Sequence, residues 1–279
     1  MIFPGDVGLF RWASEGLFGF LKWHRERQQP LYRQASRFIE AFEAHGVARQ
    51  QVPRLMPEPI RLTLQAVATP EALAAKLQLE HLDWAGETLA LQREWFDAED
   101  GQPHQVVGSV YKRPAAQLEW LASRTLALRG WHSALHVATQ GEFRDPGQAE
   151  GVFFVAYEEC FEQLGNKPVS RYWYLSNGFR FSHVPCTVDL LTMLAIGECL
   201  GISAVGHVLP AKLIERAEQG TLGLLPKVLS EGRHWRPCNW VPTNYDSANC
   251  ESDAHRQLWD EARRKLDGDG LQRLLKLAQ

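Results

Sequence analysis

Residues 151–159, GVFFVAYEE, and 170–184, SRYWYLSNGFRFSHV, decide the fold class. Both are rich in aromatic and β-branched side chains and alternate in character, as strands with one well-packed face do. Asn177-Gly178 stands between RYWYLS and FRFSHV and predicts a hairpin there, because a type I′ turn needs positive φ at both central positions. Working outward, SALHVAT (133–139) reads as another strand. Downstream, TVDLLTMLAIGECLG (187–201) reads as an apolar helix starting at Thr187, ISAVGHVL (202–209) as a strand, and PAKLIERAEQG (210–220) as a helix opened by Pro210 and stopped by Gly220. Strands, hairpin, helix, strand and helix in that order make an α+β domain with a mainly antiparallel sheet.

Upstream the texture is helical. Phe38, Ile39, Phe42 and Val47 have helical spacing, with Ser36 as a cap and Gly46, Pro53 and Pro57 as punctuation. TPEALAAKLQLEHLDWAGETLAL (69–91) predicts one helix with Thr69 as N-cap and Pro70 at its first position. RPAAQLEWLASRTLALRG (113–130) predicts another, opened by Pro114 and ended near Gly130. The polar stretch EDGQPHQVVGSVYKRP (99–114) suits a domain boundary. The expected plan is an aromatic arm at residues 1–30, a helical domain at 31–110 and an α+β domain at 111–279.

Bulk properties bound the function classes. The 279 residues are 45% hydrophobic and 23% charged, ordinary globular usage. A net charge of −3 supplies no global field for DNA, RNA or an anionic membrane, so any such contact is local. Five cysteines, odd in number and without a secretory leader, read as reduced thiols in the cytoplasm. In the arm, Arg11 and Glu15 interrupt the apolar run, so no transmembrane span is expected. Phe10, Leu17, Phe18 and Leu21 suit packing on the chain itself or on a second copy as a homo-oligomer, and an interfacial helix with Trp12 and Trp23 at headgroup depth is the alternative.

RFIEAFEAHGVARQQVPRLM (37–56) and LDWAGETLALQREWFDAED (82–100) carry Phe38, Phe42, Gly46, Gln51, Val52 and Leu55, then Leu89, Leu91, Trp95 and Phe96. In this order they resemble the helix-turn-helix domain of lambda-repressor-like regulators of the Cro/C1 type. The resemblance implies a degenerate helix-turn-helix-like fold for residues 36–100 and DNA as a partner, with Arg49, Gln50, Gln51, Arg54 and Arg61 approaching phosphates or base edges. The stretch EPIRLTLQAVAT (58–69), where the turn and recognition helix fall, carries Pro59 and one basic side chain, Arg61, and is otherwise largely apolar.

The second half offers three candidate sites. A ligand pocket is expected from Phe154, Tyr157, Tyr172, Tyr174 and His183, aromatic residues with one imidazole, of the kind that line small-molecule sites. Core packing is the competing role. Glu158-Glu159 lies close in sequence to Cys160, His183 and Cys186, but adjacent residues on a strand point to opposite faces, so at most one of the two acids joins any site there. Without a nucleophile-elbow, phosphate-loop, dinucleotide or metalloprotease signature, no catalytic residue is assigned. His234, Cys238, Cys250 and His255 bring two imidazoles and two thiols into 22 residues, a donor set that suits zinc but lacks the tight Cys-x2-Cys spacing. No other cofactor is expected. The sequence therefore points to a DNA-binding transcriptional regulator with a C-terminal ligand-sensing or partner-binding domain. An interaction or oligomerisation module that touches no nucleic acid is the alternative, and an enzyme of unfamiliar type the third reading.

Overall fold

A computed structural model describes residues 30–97, 101–127 and 132–268. The aromatic arm, apart from Pro30, and the Leu-rich C-terminus from residue 269 lie outside them.

Helix α1 (Pro30–Ala44) presents Ala35, Phe38, Ile39 and Phe42 to a common core. It ends in a glycine cap: Gly46 takes φ 80, and the Val47 N–H donates back to the Phe42 carbonyl at 2.9 Å. Helix α2 (Val52–Leu55) is a single turn. Thr69 caps α3 (Pro70–Ala74), its hydroxyl accepting from the Ala72 N–H at 3.2 Å. The helix expected across 69–91 is broken, because α4 runs only from Leu79 to Leu89. His81 holds the break open: its Nδ1 accepts from the Gln78 N–H at 2.8 Å and its Nε2 bonds the Ile60 carbonyl at 3.1 Å. Helix α5 (Arg93–Phe96) completes this layer. Residues 57–69 form a 3-10 turn at Glu58–Ile60 and further turns, so no α-helix stands where the resemblance puts the recognition helix.

Beyond α6 (Pro114–Ala127) the sheet begins with β1 (Ser133–Thr139), followed by β2 (Val152–Leu164) and β3 (Lys167–Arg180). After β3 come α7 (Val184–Cys199), β4 (Ser203–Val208), α8 (Ala211–Glu218), α9 (Leu225–Ser230), β5 (Arg233–Trp235) and α10 (Asp253–Gly268). The strand order is β3-β2-β1-β4-β5. Only β1 and β4 run parallel, as the crossover through α7 requires; the other three pairings are antiparallel. This is the expected α+β class, with helices preceding a mainly antiparallel sheet.

The hairpin is not where Asn177-Gly178 predicts it. Strand β3 runs straight through that dipeptide, and the turn is Gly165-Asn166, where only Gly165 has positive φ, at 66. That pattern suits a Gly-first turn rather than one with both central residues left-handed. Asn177 and Gly178 form a bulge instead, since Val155 pairs with Ser176 while Phe153 pairs with Phe179. A Cβ on Gly178 would stand 3.1 Å from Glu218 Cγ, so the glycine admits α8 rather than turning the chain.

The two faces of the sheet are covered differently. Phe153, Val155, Tyr157 and Trp173 join the core formed with α6, α7 and α10. Phe154, Ala156 and Tyr174 pack under α8 and α9. The core of the helical layer also takes in Val169 of β3 and Leu224 before α9, which seats the layer against the sheet. The stretch around residue 104, expected as a domain boundary, is bonded to the helical layer and to the sheet alike. Gln92 N–H donates to the Pro103 carbonyl at 2.7 Å, and Tyr174 N–H donates to the Gln105 carbonyl at 2.9 Å.

Candidate functional site

On the α8/α9 side of the sheet each of the five strands contributes one titratable side chain to a diagonal row. The members are Tyr172 (β3), Glu158 (β2), His136 (β1), His207 (β4) and His234 (β5). Register places them: Glu158 is directly opposite Tyr172, and His207 directly opposite His234. His136 lies two residues along from the position opposite each, and so on the same face. The contacts are continuous. His136 Nε2 lies 2.8 Å from Glu158 Oε2 and its Nδ1 2.9 Å from His207 Nε2. The His234 ring meets His207 edge-on at 4.9 Å. Only His234 is exposed; Glu158 and Tyr172 are half-buried and the other two buried.

Elementary hydrogen-bond logic places the His207 proton. The Leu229 carbonyl can only accept, so His207 Nδ1, at 3.0 Å, carries a proton. Burial, reinforced by the neighbouring His136 and His234, pulls His207 down to about 4, so at neutral pH its Nε2 is a bare lone pair. His136 Nδ1 faces that lone pair at 2.9 Å. Burial alone would push the Glu158 carboxyl up, but the hydrogen bond and charge of His136, with hydrogen bonds from Ser170 and Tyr172, bring it down to about 2. Glu158 is therefore ionised, and it accepts from His136 Nε2. His136 thus stands between a carboxylate and a neutral imidazole.

The end of the row at Tyr172 runs into the helical layer. The glycine cap of α1 positions His45, whose ring lies 5.8 Å from Tyr172 and 5.5 Å from His104. His45 Nδ1 donates to the Ala41 carbonyl at 2.6 Å, while its buried Nε2 finds no partner among the described residues. Burial lowers His45 to about 4 against the opposing pull of its Ala41 bond and of Glu158. His104 is fully buried and doubly engaged: Nδ1 donates to the Tyr172 carbonyl at 3.1 Å, and Nε2 accepts from the Leu225 N–H at 3.0 Å. Burial, with His45 beside it, holds His104 well below its ordinary range. Burial and the Glu158 charge hold the Tyr172 phenol above its own.

Of the expected pocket residues, Phe154, Tyr172 and Tyr174 share this face. Tyr157 points to the opposite one, into the α6/α7 core. His183 stands apart at the start of α7, where Lys112 Nζ donates to its Nε2 at 3.1 Å. Cys160 shares the face of Glu158, but burial raises its thiol, which leaves no reactive thiolate. The four zinc candidates are not gathered: among the described residues no group of three or more His, Cys, Asp or Glu side chains is placed to hold a metal. His234 faces His207, and Cys238 is exposed. His255 Nε2 bonds the Trp240 carbonyl at 2.9 Å while Nδ1 accepts from the Glu251 N–H at 3.2 Å, leaving no lone pair for a metal.

Of the residues expected at DNA, Gln50, Arg54 and Arg61 line one shallow groove with Pro53 and Leu64. Two of the three arginines already face carboxylates, Arg49 with Glu43 and Arg61 with Glu58, both at 2.6 Å. Gln51 is turned inward to accept from the Ala48 N–H at 3.1 Å. No described helix is long and apolar enough to cross a membrane.

Sequence reasoning missed His136 and His207 because the row exists only through strand register, and His45 and His104 because they meet Tyr172 only where the helical layer and residue 104 pack on the sheet. The signal it offered was an ionisable residue inside an otherwise apolar strand, as in ALHVA and AVGHV. The chain matches no family model, no curated protein and no solved structure.

Proposed function

We propose that the chain is a proton-responsive sensor and interaction protein of the cytoplasm, in which the histidine–glutamate row senses and the docked helical layer responds. The observation that carries this reading is the contact between His136 and His207. A proton arriving at His207 from the exposed His234 side turns the lone pair that faces His136 into an N–H and sets a buried cation beside it. Setting five titratable groups in a row across a sheet face, two of them buried and two half-buried, is a costly way to fill it compared with apolar side chains, and such clusters concentrate at functional centres. The far end of the row touches His45 and His104, which seat the helical layer. Proton uptake there costs the docked state and not the released one.

Amide hydrogen exchange at pH 7.5 and 5.2, corrected for intrinsic rates, tests it. Amides of α1 and α4 should lose protection in acid while those of β1 and β2 keep theirs, and Glu158→Gln should blunt the change. Equal protection of α1 and α4 at both pH values would sink the reading.

A second reading, a nucleic-acid contact, is favoured by one observation, the shared groove of Gln50, Arg54 and Arg61. Arg54 is the cation there not facing a carboxylate in the described contacts. Mobility shift with duplex DNA at about 50 and 200 mM salt decides it. A shift that weakens with salt, with a slope reduced by about 1 in Arg54→Ala, supports DNA binding. No shift at either salt removes it.

A further inference from the structure

We propose that the backbone edge of β3 at Tyr172–Tyr174 is a docking site for an extended, histidine-free segment of a partner protein, closed at neutral pH by residues 104–107 and opened when His104 takes up a proton. This rests on the proton-responsive reading above and names the surface it would control.

Strand β3 is the long outer strand of the sheet, with 14 residues, whereas the other outer strand, β5, has three. Exposed edges of long strands are templates for an added strand. Here the chain itself occupies the template. Residues 104–107 lie alongside as a strap: Tyr174 N–H donates to the Gln105 carbonyl at 2.9 Å, Val107 N–H donates to the Tyr174 carbonyl at 2.8 Å, and Val106 bridges Tyr174 in parallel. These two backbone bonds, which together form the bridge, make a slight hold, and Val106 is 45% exposed. The strap thus demonstrates what fits this edge, a parallel extended backbone with a β-branched residue over Tyr174.

His104 is the latch. Its ring fastens the strap to β3 through the Tyr172 carbonyl and to α9 through the Leu225 N–H. The titratable groups facing it are His45 from α1 and Tyr172 from β3, with Glu158 of β2 and His136 of β1 behind the phenol; α9 presents the Leu225 N–H. A second proton on His104 would point at that N–H and sit beside His45, with no carboxylate in contact. The strap is otherwise tied to the helical layer, through Gln92 N–H to the Pro103 carbonyl and Gln105 N–H to the Ala90 carbonyl at 3.1 Å. A loosened layer therefore carries the strap away and leaves the Tyr174 N–H and C=O bare. A partner that binds in acid cannot carry histidine at the latch position, because it would meet the same Leu225 N–H.

The test uses the full chain and a labelled peptide copying residues 101–110 with His104→Gln, titrated at pH 7.5 and 5.2, with hydrogen exchange of the Tyr174 amide alongside. Opening at Tyr174 should rise as pH falls below 6.5, where the opened chain binds a proton at His104 that the closed chain does not. The peptide should bind at least tenfold more tightly at pH 5.2, and the same peptide with His104 retained should bind less well there. In the chain, His104→Gln can donate to Tyr172 and accept from Leu225 without titrating, so it should keep the edge closed at pH 5.2; His104→Asn serves if that variant does not fold. A protected Tyr174 beside opened α1 and α4 overturns the strap. An open Tyr174 that binds no peptide overturns the docking site. If nothing opens, the proton-responsive reading falls and this inference with it.

Discussion

Glu158 and Glu159 are neighbours in the chain and end in opposite environments. Glu158 accepts from His136 at 2.8 Å under the helical side of the sheet, whereas Glu159, 1% exposed, is gripped from the other side by Arg171 at 2.6 Å and Arg124 at 3.2 Å. The Arg124 guanidinium lies over the Trp120 and Trp173 rings, 4.3 and 4.1 Å from their centres. One acid belongs to the proton row and the other to a cation clamp.

The clamp predicts a stability effect without a functional one. Glu159→Gln leaves two guanidiniums facing each other over buried aromatics, and breaking such a pair costs about 3–5 kcal/mol when fully buried. Both arginines keep roughly a quarter of their side-chain surface in water, which lowers the expected loss to about 2 kcal/mol. Urea unfolding at pH 7.5 measures it. The acid response of α1 should survive this substitution, in contrast to Glu158→Gln.

Acid should destabilise the fold before any carboxylate of the row titrates. His45 and His207 are lowered from 6.5 to about 4 in the folded chain, so the unfolded chain binds more protons between those values. Stability is then fully present above pH 6.5 and falls as pH drops toward 4, by up to about 3 kcal/mol for each imidazole. His104 is lowered too and adds in the same direction. Glu158 acts in a separate window, its contribution present above 4.5 and lost as pH falls toward 2. Denaturation midpoints at pH 7.5, 6.0, 5.0 and 4.2 should therefore decline most steeply between 6.5 and 4.5. A flat profile there would refute the neutral state of these rings.

How much of this was legible follows from what each feature depends on. The helix caps at Thr69 and Gly46 and the strands read at 133–139, 151–159 and 202–209 depend on local chemistry, and the sequence predicts them, though β2 runs on to Leu164. The two-faced fate of Glu158-Glu159 follows from the pleat alone. Asn177-Gly178 misleads because a turn and a bulge ask for the same permissive residues; what decides between them is α8, which arrives over Gly178 from forty residues downstream. The break at Lys76–Gln78 is invisible for a like reason, since the Ile60 carbonyl that holds His81 comes from a separate turn. The row of Tyr172, Glu158, His136, His207 and His234 is spread over a hundred residues and appears only once five strands are in register. The glutamine and arginines at 50, 54 and 61 do share a groove, yet Arg49 and Arg61 already face the carboxylates of Glu43 and Glu58, six and three residues upstream, local pairs that the resemblance does not weigh.

Asp189 should oppose the histidines. It is buried on α7, accepting from Gln117 Nε2 at 2.7 Å and from the Lys112 N–H at 3.3 Å, and burial raises it to about 6 against those bonds. A carboxyl raised above its unfolded value of 3.8 favours folding below that value and costs stability as pH rises through 6. Asp189→Asn removes the titration, so its stability relative to wild type should climb between pH 4 and 6.5 and then level off. The orphaned donor beside the new amide shifts the whole curve down without changing its slope. Parallel urea series for the two proteins read that slope directly.

The tightest steric test lies at the junction of β4 and β5. Gly206 is directly opposite Trp235, and a Cβ built there would meet the indole at 2.3 to 2.4 Å, a distance no rotation of the ring's far end relieves because the contact is with the bicyclic centre. Trp235 in turn packs on Trp240 at 5.1 Å between ring centres, and both lie in the α7/α10 core. Gly206→Ala must therefore expel the indole or pull β5 away from β4, and overpacking of this kind costs about 1–3 kcal/mol or more. Because His207 follows Gly206 and faces His234 across the same two strands, separating them should also free the His207 ring. The variant should show both a lower unfolding midpoint and a His207 signal that titrates near its ordinary value. Stability unchanged within about 0.5 kcal/mol, the range of an ordinary surface substitution, would mean that Trp235 does not sit on Gly206, and that the exposed end of the proton row is built differently.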